Sequence, residues 1–132
     1  DVLDTDDDLI RSVIFGVSVA LAPTITIGAG NMLAWLQRHP DALAQCTDAA
    51  RAGDRVRLER CLIEAGRLSP ALNPGQFRYA VADWAPSGSH GWPRVRAGDT
   101  VIVCTATALR DWRVFHRPGR FDPDRPNADR AM

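Results

Sequence analysis

Glu64 and Arg67 stand three residues apart, a carboxylate and a guanidinium that share one face of a helix and can pair directly there. Alone, the tetrad is common, and its plainest reading is a solvated ion pair contributing about 0.2 to 0.5 kcal/mol. The other residues able to do chemistry are scattered. Cys46, Cys61 and Cys104 form no C-x-x-C pair and are too few for a disulfide framework, so they read as reduced thiols. His39, His90 and His116 read as a helix-end residue, a loop residue and a residue of an irregular stretch rather than as metal ligands, and no metal site is expected. Thr24 follows Pro23 inside a run without charge, and Arg78 precedes a β-prone run. Both acquire a role only from their surroundings.

Those surroundings begin with charge. The 16 basic residues, all arginine, balance 16 acidic ones, so no basic excess argues for nucleic acid. The chain opens on Asp1, Asp4, Asp6, Asp7 and Asp8, which is acidic where a secretory signal would be basic, and with reduced thiols this places the expectation in the cytoplasm. From Ser12 to Gln37 there is no charged residue, a stretch long enough to span a bilayer, for which about 20 apolar residues suffice. Its Ser12, Ser18, Thr24, Thr26, Gly28, Gly30, Asn31 and central Pro23 suit a helix buried among protein neighbours better, so a membrane span is not expected.

Three helices should carry the first half. Thr5 or Asp6 can cap the first, with Asp7 and Asp8 in its opening turn, and it should run through Leu36 to end at His39-Pro40. The second runs from about Asp41 to Ala52, with Pro40 at its first position and Gly53 at its end. The third starts near Asp54, places Val56, Leu58, Cys61, Leu62 and Ala65 mostly at helical spacing, and closes at Pro70. Short strands follow at Phe77 to Ala82, Val95 to Ala97 and Thr100 to Thr105, with a turn at Ala97-Gly98-Asp99. Beyond Ala108 the chain is irregular, and a long ordered loop usually has a job. The fold class is mainly α with a small β component.

Motif order now gives Glu64 and Arg67 a context. After Glu64-Ala65-Gly66-Arg67 come Val95-Arg96-Ala97-Gly98-Asp99-Thr100-Val101, then Ala108-Leu109-Arg110-Asp111, then Phe115 to Pro126 reading FHRPGRFDPDRP. That succession resembles the cytochrome P450 family, in which E-x-x-R on the K helix is followed by a "PAGT-x-V" strand pair, "A-x-R-D" and the meander motif "F-x-x-P-x-x-F-x-P-x-R". The uncharged helix closing on Arg38-His39-Pro40 is similar to the family's I helix. The resemblance covers almost the whole chain as one partial domain: residues 1–39 as I helix, 40–53 as J helix, 54–70 as K helix, 71–107 as β region and 108–132 as meander.

The resemblance implies a haem cofactor in a haem-thiolate oxidoreductase of monooxygenase type, acting on a small organic or lipid substrate with a redox partner or a peroxidase partner. It implies that Glu64, Arg67 and Arg125 form a structural Glu-Arg-Arg network, that Arg78 meets a haem propionate, and that Thr24 faces the oxygen site as the catalytic residue. The family's haem-cysteine loop is expected soon after Asn127, and the sequence ends at Met132 without it, so the chain alone is expected to be incomplete and inactive. Where the family's I helix carries "(A/G)-G-x-(D/E)-T", this chain reads Ala20-Leu21-Ala22-Pro23-Thr24: the threonine is kept, the glycine is Leu21 and the acid is Pro23. Loss of the proton-relay acid leaves, beside a monooxygenase, a P450 of the fatty-acid hydroperoxide-rearranging kind. The missing haem-cysteine loop leaves a third reading, a non-catalytic truncated remnant serving as an interaction module.

Overall fold

The computed structural model describes residues 7–85 and 94–126. Thr5, Asp6, His90 and the residues after Pro126 lie outside the described residues.

Helix α1 spans Asp7–Gln37, with Asp7 and Asp8 in its first turn, where carboxylates meet the positive end of the helix dipole. It ends where Pro40 forces His39 out of the helical region. Helix α2, Pro40–Arg51, takes proline at its start, where the missing N–H costs nothing. Gly53 ends it with φ +67°, a left-handed conformation that glycine adopts without a Cβ penalty. Its N–H bonds the Ala50 carbonyl and that of Asp54 the Ala49 carbonyl, so two terminal carbonyls are satisfied. The Asp54 carboxylate then accepts the Arg57 N–H at 2.9 Å and caps α3, Arg55–Leu68.

The three helices meet on a small core of Leu36, Ala42, Cys46, Cys61 and Ala65, with Met32, Trp35, Leu58, Leu62 and Phe121 packed around it. Short side chains at Ala42, Cys46 and Ala65 allow α2 and α3 to approach closely. Only the end of α1 takes part. From Leu9 to Ile27 its large apolar side chains are exposed, Phe15 by 71%, so these residues do not themselves supply the all-round burial expected for it. Among the described residues it is the one helix long and apolar enough to cross a membrane.

Strand β1, Gln76–Tyr79, pairs antiparallel with β2, Thr100–Val103, placing Arg78 opposite Val101. The expected strand at Val95 to Ala97 reduces to a single bridge between Trp84 and Val95. The cause is local: the Asp99 carboxylate takes the Arg96 N–H and the Asp83 carboxylate takes the Ala97 N–H, withdrawing both donors from any ladder. The end of the last expected strand is also corrected, because Thr105–Ala108 forms one helical turn, α4. Here the Thr105 hydroxyl donates to the Leu72 carbonyl and the Ala106 N–H to the Pro74 carbonyl, so tertiary bonds override a β-prone composition.

Gly75 is where the chain from α3 presses against the end of β2. A Cβ there would lie 1.8 Å from the Val103 carbonyl oxygen, and the obstacle is backbone that cannot swing away. Gly75→Ala should therefore lower stability by about 1 to 3 kcal/mol in thermal or urea unfolding. Gly119→Ala, where a Cβ meets nothing within 4 Å, should change it by less than about 0.5 kcal/mol.

Candidate functional site

Glu64 and Arg67 lie in the last two turns of α3, and both are 1% exposed. A surface ion pair is therefore excluded, and the geometry is that of a fork closing on a carboxylate. Arg67 donates from Nε to Glu64 Oε2 at 2.8 Å and from Nη2 to Oε1 at 2.9 Å. Arg125 arrives from the far end of the chain and donates from Nη2 to Oε1 at 2.8 Å, with Nε bridging both oxygens at 3.1 and 3.2 Å. The Asp122 N–H completes the set at 3.0 Å from Oε1.

One carboxylate cannot neutralise two guanidiniums, and burying the excess positive charge is costly unless other groups receive it. The irregular segment supplies those groups. Arg67 donates to the Leu109 and Arg120 carbonyls, and Arg125 to the His116 and Arg120 carbonyls. The Phe115 ring, 2% exposed, lies beside both, with guanidinium carbons 5.1 and 5.8 Å from its centroid, within cation–π range. Among the described residues no buried side-chain nitrogen or oxygen lacks a partner. Arg110 adds a further tie, donating to the Leu68 carbonyl at the end of α3.

Burial pushes the Glu64 carboxyl up, but the hydrogen bonds from Arg67, Arg125 and the Asp122 N–H outweigh it and hold the group below the usual glutamate range. The cysteines behave oppositely. Burial raises Cys46, and burial together with its neighbour Cys46 pushes Cys61 up to about 11, so both are thiols within the core. Cys104 is exposed beyond β2, with its Sγ directed at the Ile102 carbonyl. Among the described residues no three His, Cys, Asp or Glu side chains cluster as a metal site.

Arg78 stands apart from the cluster, exposed on β1. It donates to the Phe77 carbonyl and to Gln76 Oε1, and among the described residues no carboxylate pairs with it. Thr24 is exposed on α1 one residue beyond Pro23, and its hydroxyl donates to the Ala20 carbonyl at 2.6 Å; Thr26 does the same to Ala22 at 2.8 Å. Sequence reasoning gave no role to Phe115, or to the carbonyls of Leu109, His116 and Arg120. The phenylalanine stood in a quoted motif, but the carbonyls leave no mark in side-chain chemistry.

No family model matches the chain. The cytochrome P450 family protein EryCII of Saccharopolyspora erythraea is 41% identical over 81 residues, which cover 61% of this chain and 21% of that protein. The crystal structure of CalO2, a P450, aligns with TM-score 0.59 and 29% identity over 77% of this chain and 23% of its own. P450BioI, solved in complex with an acyl carrier protein ligated to hexadec-9Z-enoic acid, aligns with TM-score 0.50 and 23% identity over 79% of this chain and 24% of its own, a likeness of fold alone.

Glu64→Ala in the full-length protein leaves two buried guanidiniums facing each other and should cost about 3 to 5 kcal/mol in urea unfolding at neutral pH. A carboxyl whose folded pKa lies below its unfolded value of about 4.3 stabilises above that pH, and the contribution disappears as pH falls through the folded value. The stability of the parent protein should accordingly fall across that acid range, and Glu64→Gln should remove this component of the slope.

Proposed function

We propose that this chain, a stretch of a cytochrome P450, serves in a haem-thiolate oxidoreductase that oxidises a small organic or lipid substrate. The observation that carries the reading is the buried Glu64, Arg67 and Arg125 cluster, which ties the segment from Leu109 to Arg125 onto α3. In this reading α1, α2 and α3 act as the family's I, J and K helices, and 108–132 as its meander. The chain spans 21% of the length of the EryCII protein, so substrate, oxidant and redox partner are matters for the full-length protein. The helix α1, apolar on every side, is read as enclosed by further protein rather than by lipid, in a cytoplasmic enzyme.

Haem, when bound, supplies a redox-active iron. Arg78 suits its propionates, because the planar fork uses one donor on the Phe77 carbonyl and one on Gln76 while further N–H groups remain for a carboxylate. Antiparallel pairing of Arg78 with Val101 fixes the strand that presents it. Thr24 holds a proton at Oγ1 that is already donated to the Ala20 carbonyl, leaving the oxygen lone pairs free to accept. Cys46 and Cys61 do not suit an iron, since both are packed in the core as thiols of raised pKa.

A second reading rests on a specific observation. Leu21 and Pro23 replace the glycine and the acid of the family's oxygen groove, and proline brings neither a carboxylate nor an N–H. Oxygen activation that needs delivered protons is disfavoured by that substitution. A peroxide-driven or hydroperoxide-rearranging P450, or a P450-fold interaction module without turnover, fits it better.

The full-length protein, reduced and treated with carbon monoxide, should absorb at the thiolate-haem Soret position, and Arg78→Ala should weaken haem retention by about tenfold. Haem bound with turnover from peroxide but not from dioxygen and a reductant would select the peroxide-driven form. Absence of any haem spectrum in the full-length protein would leave the interaction module.

A further inference from the structure

The turn from Asp122 to Arg125 is held from two sides. On its inner side Glu64 accepts from the Asp122 N–H and from the Arg125 guanidinium, contacts already described. On its outer side the Asp124 carboxylate pairs with Arg57 Nη1, while Arg57 Nη2 donates to Gln45 Oε1 at 3.2 Å. Arg57 thus joins three elements: its own helix α3, Gln45 of α2, and the turn. Its place is set by the Asp54 cap, which accepts the Arg57 backbone N–H and fixes the start of α3 beneath it. Within the turn the Arg125 N–H bonds the Asp122 carbonyl at 3.2 Å, and the Asp124 N–H bonds Asp122 Oδ1 at 3.2 Å. The two anchors therefore grip successive residues, Asp124 outward and Arg125 inward.

The inner contacts converge on Glu64 and hold Asp122 and Arg125, whereas Arg57 holds the intervening Asp124 from the opposite side. We propose that Arg57 is a positioning residue, holding Asp124 against α3 so that the turn from Asp122 to Arg125 keeps one orientation. This rests on the P450 reading, in which the turn belongs to the meander, and it adds a requirement to it: a second contact, from α3 and α2 on the side away from Glu64, orients the turn. The Arg57 side chain is 30% exposed and that of Asp124 64%, so the pair is solvated and contributes little to global stability. Its effect belongs in local order.

That distinction makes the experiment. In the full-length protein, Arg57→Ala should speed hydrogen exchange at the amides of Asp124 and Arg125 by about fivefold while leaving the urea midpoint nearly unchanged. The charge-reversed pair Arg57→Asp with Asp124→Arg should restore slow exchange, whereas each reversal alone should not. Where the parent protein shows a thiolate-haem spectrum, Arg57→Ala should also reduce the fraction in that form, and the reversed pair should recover it. Unchanged exchange at Asp124 and Arg125 in Arg57→Ala overturns the positioning role, as does a midpoint that falls together with faster exchange throughout α3. A parent protein without haem overturns the P450 enzyme reading and leaves the exchange result to decide the anchor by itself.

Discussion

One carboxylate buried between two guanidiniums is the constraint on which the second half of this chain depends. The segment from Leu109 to Arg125 has little regular secondary structure and so few backbone bonds of its own. Ordering such a segment costs conformational entropy of about 1 to 2 kcal/mol per residue. Phe115, Phe121 and Pro123 bury surface, but the directional ties come from Arg67 and Arg125, whose donors collect the Leu109, His116 and Arg120 carbonyls. Backbone carbonyls that a helix or sheet would have satisfied are satisfied here by side chains. The cluster acts as a substitute for secondary structure, and Glu64 is what allows both arginines to be buried at all.

The same arrangement accounts for local strain. Arg117 adopts φ 47°, a left-handed conformation that a non-glycine residue holds only when its surroundings impose it. The carbonyls on either side, of His116 and Arg120, are both drawn inward by Arg125, and the Arg120 N–H closes back on the Arg117 carbonyl. Pinned at both ends, the intervening residues must reverse within a short span. Beside this segment, at the end of α1, Trp35 stacks on His39 with centroids 3.8 Å apart and on Phe121 with centroids 5.7 Å apart.

How much of this was legible in the sequence follows the range of each interaction. Helix ends were readable, because Pro40, Gly53 and Asp54 act on their immediate neighbours, through proline geometry, left-handed φ and an N-terminal cap. Strands beyond Tyr79 were less so. Asp83 lies far along the chain from the Ala97 N–H that it captures, and Leu72 and Pro74 are equally remote from the turn at Thr105 and Ala106. Glu64 and Arg67 are the sharper case. On α3 they interrupt an apolar face, and periodicity alone would leave them in solvent; only the order of motifs along the chain pointed inward. The Arg57 and Asp124 pair carried no signal of either kind, since it joins an ordinary helix arginine to an ordinary loop aspartate.

Two parts of the chain differ in how they match the family they resemble. The residues that hold the fold, Glu64, Arg67, Phe115 and Arg125, stand at the family's motif positions and make a complete set of bonds. The stretch from Ala20 to Thr24 on α1 does not match the family's motif in the same way. Pro23 cannot donate to the Val19 carbonyl, and the hydroxyls of Thr24 and Thr26 turn back onto carbonyls of the preceding turn. The cluster places no constraint on that stretch, because α1 reaches the shared core through its last turns, at Met32, Trp35 and Leu36. The Glu-Arg-Arg cluster and the Ala20 to Thr24 stretch of α1 are thus physically separate in this chain, and a change in one does not disturb the bonds of the other.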